Sequence, residues 1–279
     1  MSKTDRLYYL DNLRVAVIIL VMAHHVGQAY GPTGGWWPIQ EATRASLLGP
    51  FFTVNRSFFM SLFFMISGYF TVMSFRSKGA RAFLKDRALR LGIPALAFGL
   101  LMIPMQLFVF AADGDTPSVL PIEVGHLWFL EHLLIFSAVY VLWQMIRKDN
   151  TERKPVQGNP PGYLPILAFA LFLAVVTGIV RIWYPIDKWV YLLGFVRVAF
   201  ADVPRDLSFF IIGVLACDRG WFQKFPTRDG YIWLSLGVAL AVFWYAYQLG
   251  LGELLQISFI RHKIFAATTR RWSPQFVKG

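Results

Sequence analysis

Residues 10–30 read LDNLRVAVIILVMAHHVGQAY. The apolar run from Leu13 to Tyr30 is close to the roughly 20 residues that an α-helix needs to cross a bilayer. No small-residue cleavage pattern follows this run, so we expect a retained membrane span rather than a signal peptide. The rest of the chain is similar, since 56% of its 279 residues are hydrophobic and only 15% are charged. Soluble domains have about 25% charged residues, so the composition predicts a membrane protein.

Further apolar runs along the chain predict more crossings. Five have a suitable length, at about Phe51–Phe75, Leu91–Ala112, His126–Ile146, Tyr163–Tyr184 and Tyr231–Leu249. Between the last two, Trp189–Cys217 is interrupted by the polar stretch Ala201–Asp206. This pattern favours a short interfacial or re-entrant helix followed by one span that ends near Cys217. The predicted fold is an all-α, polytopic transmembrane helix bundle with about seven spans.

The connections between these spans predict the orientation, because Lys and Arg accumulate on the cytoplasmic side. The third connection, Ala112–Gly125, has no Lys or Arg. The second and fourth connections are basic, with Arg76, Lys78, Arg81, Lys85, Arg87 and Arg90 in one and Arg147, Lys148, Arg153 and Lys154 in the other. We therefore expect a cytoplasmic N-terminus. The surplus of 27 basic over 16 acidic residues is explained by these membrane flanks, and no nucleic-acid partner is predicted.

The end of the chain departs from this topology. After a seventh span, the remaining chain would lie at the outer face, although Lys and Arg usually lie on the cytoplasmic side. This part of the chain contains the cations Arg261, Lys263, Arg270, Arg271 and Lys278. We expect one membrane domain over residues 1–250 that is incomplete at its C-terminal side, and a basic tail over residues 251–279.

Cysteine and histidine usage limits the possible chemistry. Cys217 is the only cysteine, so the chain has no intramolecular disulfide. The five histidines lack the paired spacing of a structural zinc site. We predict no metal and no bound cofactor.

The first span carries the most informative polar residues. Arg14 and His25 are eleven residues apart, which on a helix is about three turns plus 20°, so both lie on one stripe about 16 Å apart. With the N-terminus inside, Arg14 lies at the cytoplasmic rim and His25 lies in the outer half of the membrane. A neutral imidazole at that depth can accept a proton, which suits a general base. The alternative is that His24 or His25 only hydrogen-bonds a neighbouring helix.

Two motifs follow, one inside the second span and one at the cytoplasmic end of the third span. In Ser67-Gly68-Tyr69, glycine permits close helix approach and serine can donate across a helix interface, which makes packing the favoured role. Arg87 and Arg90 have a spacing of three residues and so share one helical face. Such a pair can bind phosphate groups, whereas the alternative role is positive-inside anchoring.

The fourth span opens with His126-Leu-Trp-Phe-Leu-Glu131. A carboxyl group inside a span is costly and is a functional candidate by default. Glu131 lies about 8 Å below the outer boundary, at a depth comparable with that of His25, so we predict that the two approach one another. The alternative is that Glu131 bonds an arginine or a water near the interface while His126 snorkels.

Together these residues resemble the integral-membrane acyltransferase 3 family, which includes glucan-succinylating proteins and O-antigen acetylases. The similarity extends from Tyr9 to about Gly250. The matching elements are LDNLR at 10–14, which includes Asp11, then Arg14-x10-His25, FMISGY at 64–69, Arg87-x-x-Arg90 and HLWFL at 126–130, which includes Trp128. Members of that family have about ten spans, which again implies that this chain is incomplete.

The resemblance implies a chemistry for these positions. Arg14, Arg87 and Arg90 would engage an acyl-CoA donor on the cytoplasmic side, and His25 would be the essential histidine. The acyl group would pass to a hydroxyl of a carbohydrate on the far side of a bacterial plasma membrane. His25 would act as a general base or form an acyl-imidazole, with Glu131 orienting the ring. The candidate hydrogen-bond donors to the oxyanion that develops during transfer are Ser67, Tyr69 and His126.

Two other function classes remain open. A transporter would use the intramembrane Arg, His and Glu residues as a substrate or proton path and the Ala201–Asp206 break as a gate. A non-catalytic membrane partner of polysaccharide assembly would need neither His25 nor a donor. The sequence leaves the acyl group, the acceptor and the oligomeric state undetermined.

Overall fold

The structure, a computed structural model, describes residues 7–32, 41–113, 124–147, 158–186, 188–192 and 196–251. Long helices make up most of this part of the chain, in the order α1 Tyr8–Gly27, α2 Leu48–Arg87, α3 Ile93–Asp113, α4 Trp128–Ile146, α5 Tyr163–Trp183, α6 Val203–Arg219, the short α7 Trp221–Lys224 and α8 Thr227–Ala246. The predicted all-α, membrane-type helical fold is confirmed.

Five stretches of the described chain are long and apolar enough to cross a membrane. They are Tyr8–Gly27, Leu48–Phe108, Trp128–Ile146, Tyr163–Trp183 and Thr227–Gly250. The second stretch has 61 residues, far more than the roughly 20 that one crossing needs, and it holds the predicted second and third spans. Of the described residues in α5 and α8, none is buried, as expected for apolar helices that face lipid. The count of seven spans and the cytoplasmic N-terminus stay predictions.

The second and third spans are joined by a sharp helix reversal rather than by a loop. In a straight helix, Thr71 and Arg87 would be about 24 Å apart, but the Arg87 guanidinium donates to the Thr71 hydroxyl at 3.1 Å. Phe75 and Phe83 likewise meet edge to face, with ring centroids 6.0 Å apart. The reversal occurs at Gly79, whose φ of +74° and ψ of 168° are non-helical. Glycine is the residue that adopts this backbone conformation without a steric penalty from a Cβ atom.

The described residues belong to two compact units, which α2 joins in sequence. One unit comprises Met1–Met60 and Phe225–Gly279, and the other comprises Ser61–Lys224. In the first unit, α1 packs on the start of α2 through Phe52 and Phe59. The second unit holds α3 to α7, the later part of α2 and the β-strands described below.

The core of the second unit depends on a close crossing of α2 and α6. A Cβ atom added at Gly68 would collide with the carbonyl oxygen of Phe210, and one added at Gly213 would collide with that of Met65. The two main chains therefore touch where both helices have glycine, as in small-residue crossings of membrane helices. This contact supports the packing role that the sequence predicts for Gly68.

The region between α5 and α6 differs from its prediction. Instead of an interfacial or re-entrant helix after Trp189, the chain forms a small antiparallel hairpin of β1, Val190–Leu192, and β2, Val196–Val198. Strands of three residues are too short for a periodic pattern to separate them from an apolar helix. A helix that ends near Cys217 is present as α6, which Pro204 and Gly220 delimit at its first and last turns. It is not among the five described stretches that are long and apolar enough to cross a membrane, so its role as a span stays a prediction.

Several predictions concern residues outside the described part. These are the tail over residues 252–279, most of the third and fourth connections and the side chain of His126. The division into residues 1–250 and 251–279 stays a prediction for the same reason.

Candidate functional site: the Arg14–His25 helix, the arginine turn and the Glu131 hairpin

Helix α1 has a packed stripe and an exposed apolar face. Leu10, Val17 and His24 are 2%, 1% and 8% exposed, and their spacing of seven residues places them along one line. Residues at about 160° around the helix from this line, such as Ile19 and Val26, are exposed. By the same geometry, Arg14 and His25 lie between the packed line and the exposed face, within about 20° of each other.

The two neighbouring histidines have different surroundings. The His24 ring stacks on Phe59, with centroids 5.2 Å apart, and meets Phe52 edge to face at 5.1 Å. The Gln28 side-chain amide donates to His24 Nε2 at 3.2 Å. His25 is half-buried and meets His24 edge to face, with ring centroids 5.5 Å apart. The Gln28 contact gives His24 a hydrogen-bonding role of the kind that the sequence left open, and His25 is the more exposed of the two rings.

The arginine turn connects the reversed end of α2 to α3. The chain passes through a π-helical turn at Ala88–Gly92, and wider turns of this kind occur often at functional sites. Arg87 points back along α2, bonded to Thr71 and lying 5.2 Å over the Phe83 ring. Arg90 is 74% exposed and bonds Asp86 at 2.8 Å. The two guanidinium groups therefore differ in surroundings, because the π turn changes the face on which the second residue lies.

Glu131 lies in the first turn of α4, and the hairpin holds its carboxylate. The main-chain N–H of Arg197 in β2 donates to Glu131 Oε2 at 3.0 Å. The Arg197 guanidinium lies 4.3 Å over the Trp189 ring, and Trp189 meets Trp128 at 5.6 Å. Glu131 therefore bonds an arginine, as in the alternative that the sequence left open, but through the main-chain amide of Arg197.

His132 is a buried polar residue that the sequence analysis did not single out. It is 3% exposed and packs among Phe64, Trp128 and Phe136. Neither ring nitrogen makes a hydrogen bond of good geometry within the described chain. Its position directly after Glu131, on a helix with few polar residues, was the available signal.

A second missed group is a buried ion cluster at the start of α6. Arg205 lies between two carboxylates, 3.3 Å from Asp202 Oδ1 and 3.0 Å from Asp206 Oδ1. Asp206 is fully buried, and the Asp202 side chain is 10% exposed. Arg181 at the end of α5 reaches Asp202 at 3.8 Å. The stretch that interrupts the apolar pattern in the sequence is therefore an ion-paired element that links α5 to the turn between β2 and α6.

The remaining candidate residues have varied positions. Tyr69 is buried, its ring packs against Phe222, and its hydroxyl accepts a hydrogen bond from Gln223 Nε2 at 2.9 Å. This contact is at the α7 end of α6, whereas Glu131 faces the hairpin that precedes α6. Asp11 is half-buried on α1, and Ser67 is half-buried beside the glycine crossing.

Not all of the predicted site residues belong to one unit. Arg14, His25 and Asp11 lie in the unit of Met1–Met60 and Phe225–Gly279. The other candidates, Ser67, Tyr69, Arg87, Arg90, His126, Trp128 and Glu131, lie in the unit of Ser61–Lys224. The predicted approach of Glu131 to His25 joins residues of different units, and it stays a prediction.

Comparison with known proteins identifies the family. Residues 7–269 match the family described as an acyltransferase domain. Proteins named glucans biosynthesis protein C from Salmonella paratyphi A and Salmonella agona are 29% identical over 265 residues, which is 89% of this chain and 68% of each relative. The protein of that name from Salmonella enteritidis is 29% identical over 270 residues. No solved structure matches the chain. The chain belongs to the integral-membrane acyltransferase 3 family.

Proposed function

We propose that this protein transfers an acetyl or succinyl group from a cytoplasmic acyl-CoA to a hydroxyl of a cell-surface or periplasmic carbohydrate, in a bacterial plasma membrane. A glucan is the acceptor that the names of its relatives favour. The observation that carries the proposal is the arrangement on α1, where His24 is used in packing and His25 shares a flanking stripe with Arg14.

His25 suits the transfer step. As a general base, its neutral imidazole takes the proton of the acceptor hydroxyl while the oxygen attacks the thioester carbonyl. The carbon–sulfur bond then breaks, the ester forms, and the CoA thiolate leaves and takes up the proton. In the alternative two-step route, the His25 nitrogen attacks the thioester carbonyl, and the carbon–sulfur bond breaks to release the CoA thiolate. The acceptor hydroxyl then attacks the acyl-imidazole, which forms the ester, frees the His25 ring and releases the hydroxyl proton.

The arginines suit the donor end. Guanidinium groups bind phosphates through paired, charge-assisted hydrogen bonds. Arg90 is accessible, and Arg87 is held in place by Thr71 and Phe83. Arg14 is exposed on α1. Acyl-CoA carries its phosphates at the end remote from the thioester, so these residues would bind the donor without touching the reacting carbon.

Glu131 would support catalysis from the first turn of α4. Its carboxylate is oriented by the Arg197 amide, which leaves its second oxygen available for the ring of His25 in the proposed arrangement. In that role Glu131 would fix the tautomer of the imidazole, as carboxylates do for catalytic histidines.

We expect Arg87→Gln to raise KM for acyl-CoA by about 10- to 100-fold with a smaller change in kcat, because one charge-assisted hydrogen bond to a phosphate contributes about 1.5–3 kcal/mol. Initial rates measured with purified protein over a range of acetyl-CoA and succinyl-CoA concentrations give both constants. Arg76→Gln is the matched control, since Arg76 lies on the same helix but is paired with Asp218 at 3.0 Å. An equal rise of KM in both variants would refute a specific donor role for Arg87.

A further inference from the structure

The helix reversal at Gly79 borders an open groove of about 570 Å³. Lys78, Gly79, Ala80, Arg81, Ala82 and Lys85 line it. A Cβ atom at Gly79 would meet nothing within 4 Å. The exposed main chain at Gly79 and the two alanines therefore form a wall without bulky side chains. The polar side chains of the groove are those of Lys78, Arg81 and Lys85.

The charges around this groove are poorly compensated. Asp86 is shared, because one carboxylate oxygen bonds Lys78 Nζ at 2.9 Å and the other bonds Arg90 Nε at 2.8 Å. Arg81 and Lys85 form no ion pair with any residue that the structure describes. These two cations are four residues apart on one helix, a spacing at which like charges repel. An anion between them would remove this repulsion.

We propose that the Gly79 groove binds a phosphate group. A phosphate offers several acceptor oxygens to the forked donors of Arg81 and to the ammonium groups of Lys78 and Lys85. The groove is open, so it has room for the rest of a larger molecule that carries the phosphate. Asp86 links Lys78 of the groove to Arg90, one of the residues assigned to the donor.

Two sources can supply such a group. One is the nucleotide end of acyl-CoA, in which case the groove extends the donor site and this assignment rests on the proposed function. The other is the headgroup of an anionic lipid, since clustered basic residues next to a membrane helix attract such lipids. Binding of the phosphate itself does not depend on acyl transfer.

The test uses the purified full chain and the double variant Arg81→Gln/Lys85→Gln. For the nucleotide source, calorimetry with adenosine 3′,5′-bisphosphate is expected to show binding that weakens by about tenfold or more in the double variant. The matched control is Arg147→Gln/Arg228→Gln, which removes two other exposed cations and is expected to leave the affinity unchanged.

For the lipid source, the same proteins are placed in nanodiscs that contain phosphatidylglycerol, and the lipid retained is measured by mass spectrometry. Retention is expected to fall in the groove variant and to persist in the control. A loss in either arm that is confined to the groove variant supports the proposal and names the source. Unchanged binding in both arms, or an equal loss in the control, overturns it. Acyl transfer that persists alongside that negative result leaves the proposed function standing.

Discussion

His25→Ala is expected to lower the rate of acyl transfer by about 10²- to 10⁴-fold, the usual contribution of a general acid–base residue. The amount of folded protein is expected to remain close to that of the unchanged chain, because His25 is half-buried and lies beside the packed line of α1 rather than on it. Transfer from labelled acyl-CoA, normalised to folded protein, gives the rate. Thermal unfolding of the same samples gives the stability.

His24→Ala is the matched control, and the opposite pattern is expected for it. Removing this ring leaves a space between Phe52 and Phe59 and takes away the partner of the Gln28 amide. Such changes cost about 1–3 kcal/mol of stability, while the rate per folded molecule is retained. If His24→Ala abolished transfer and His25→Ala did not, the assignment of the chemistry to His25 would be wrong.

Arg205→Met is expected to destabilise the protein by about 3–5 kcal/mol, since it leaves the buried carboxylates of Asp202 and Asp206 without their shared cation. Methionine keeps most of the side-chain length, so the loss reports charge rather than packing. The free energy of unfolding can be measured by titrating the purified protein with denaturing detergent in mixed micelles.

Two further variants separate the charge of Arg205 from its shape. Arg205→Lys is expected to lower the free energy of unfolding by less than Arg205→Met does. The ammonium group keeps the positive charge, but it lacks the forked guanidinium that reaches both carboxylates. Arg181→Met is expected to lose at most about 1 kcal/mol, since Arg181 is 39% exposed and 3.8 Å from Asp202. Equal losses in Arg205→Met and Arg181→Met would contradict the central position of Arg205.

The long helices were predictable because their signal is local. Apolar runs of about 20 residues leave few alternatives to a membrane helix, and α4 and α5 lie within two residues of their predicted bounds. The reversal at Gly79 was less accessible, because the basic residues around it indicate a connection without indicating its conformation. The helix on both sides of Gly79 and the contacts of Arg87 with Thr71 and of Phe75 with Phe83 show the reversal only in three dimensions.

The hairpin and the ion cluster could not be predicted from the sequence, because both depend on tertiary contacts. The sequence around Ala201–Asp206 shows that the apolar pattern stops. It does not distinguish charged residues that face solvent from charged residues that are ion-paired in a core. The amide that holds Glu131 comes from Arg197, 66 residues away, and no spacing rule connects such a pair. By contrast, the shared stripe of Arg14 and His25 follows from helix periodicity alone.

The proposed acyl transfer from a CoA thioester to a carbohydrate can be tested directly. The most direct measurement incubates the purified chain in lipid vesicles with radiolabelled acetyl-CoA or succinyl-CoA and a glucan, and then assays the glucan for alkali-labile label. The account predicts esterified glucan with one of the two donors, and no label above background with His25→Ala. A folded protein that neither labels the glucan nor hydrolyses either thioester would contradict the account and favour a non-catalytic membrane partner or a transporter.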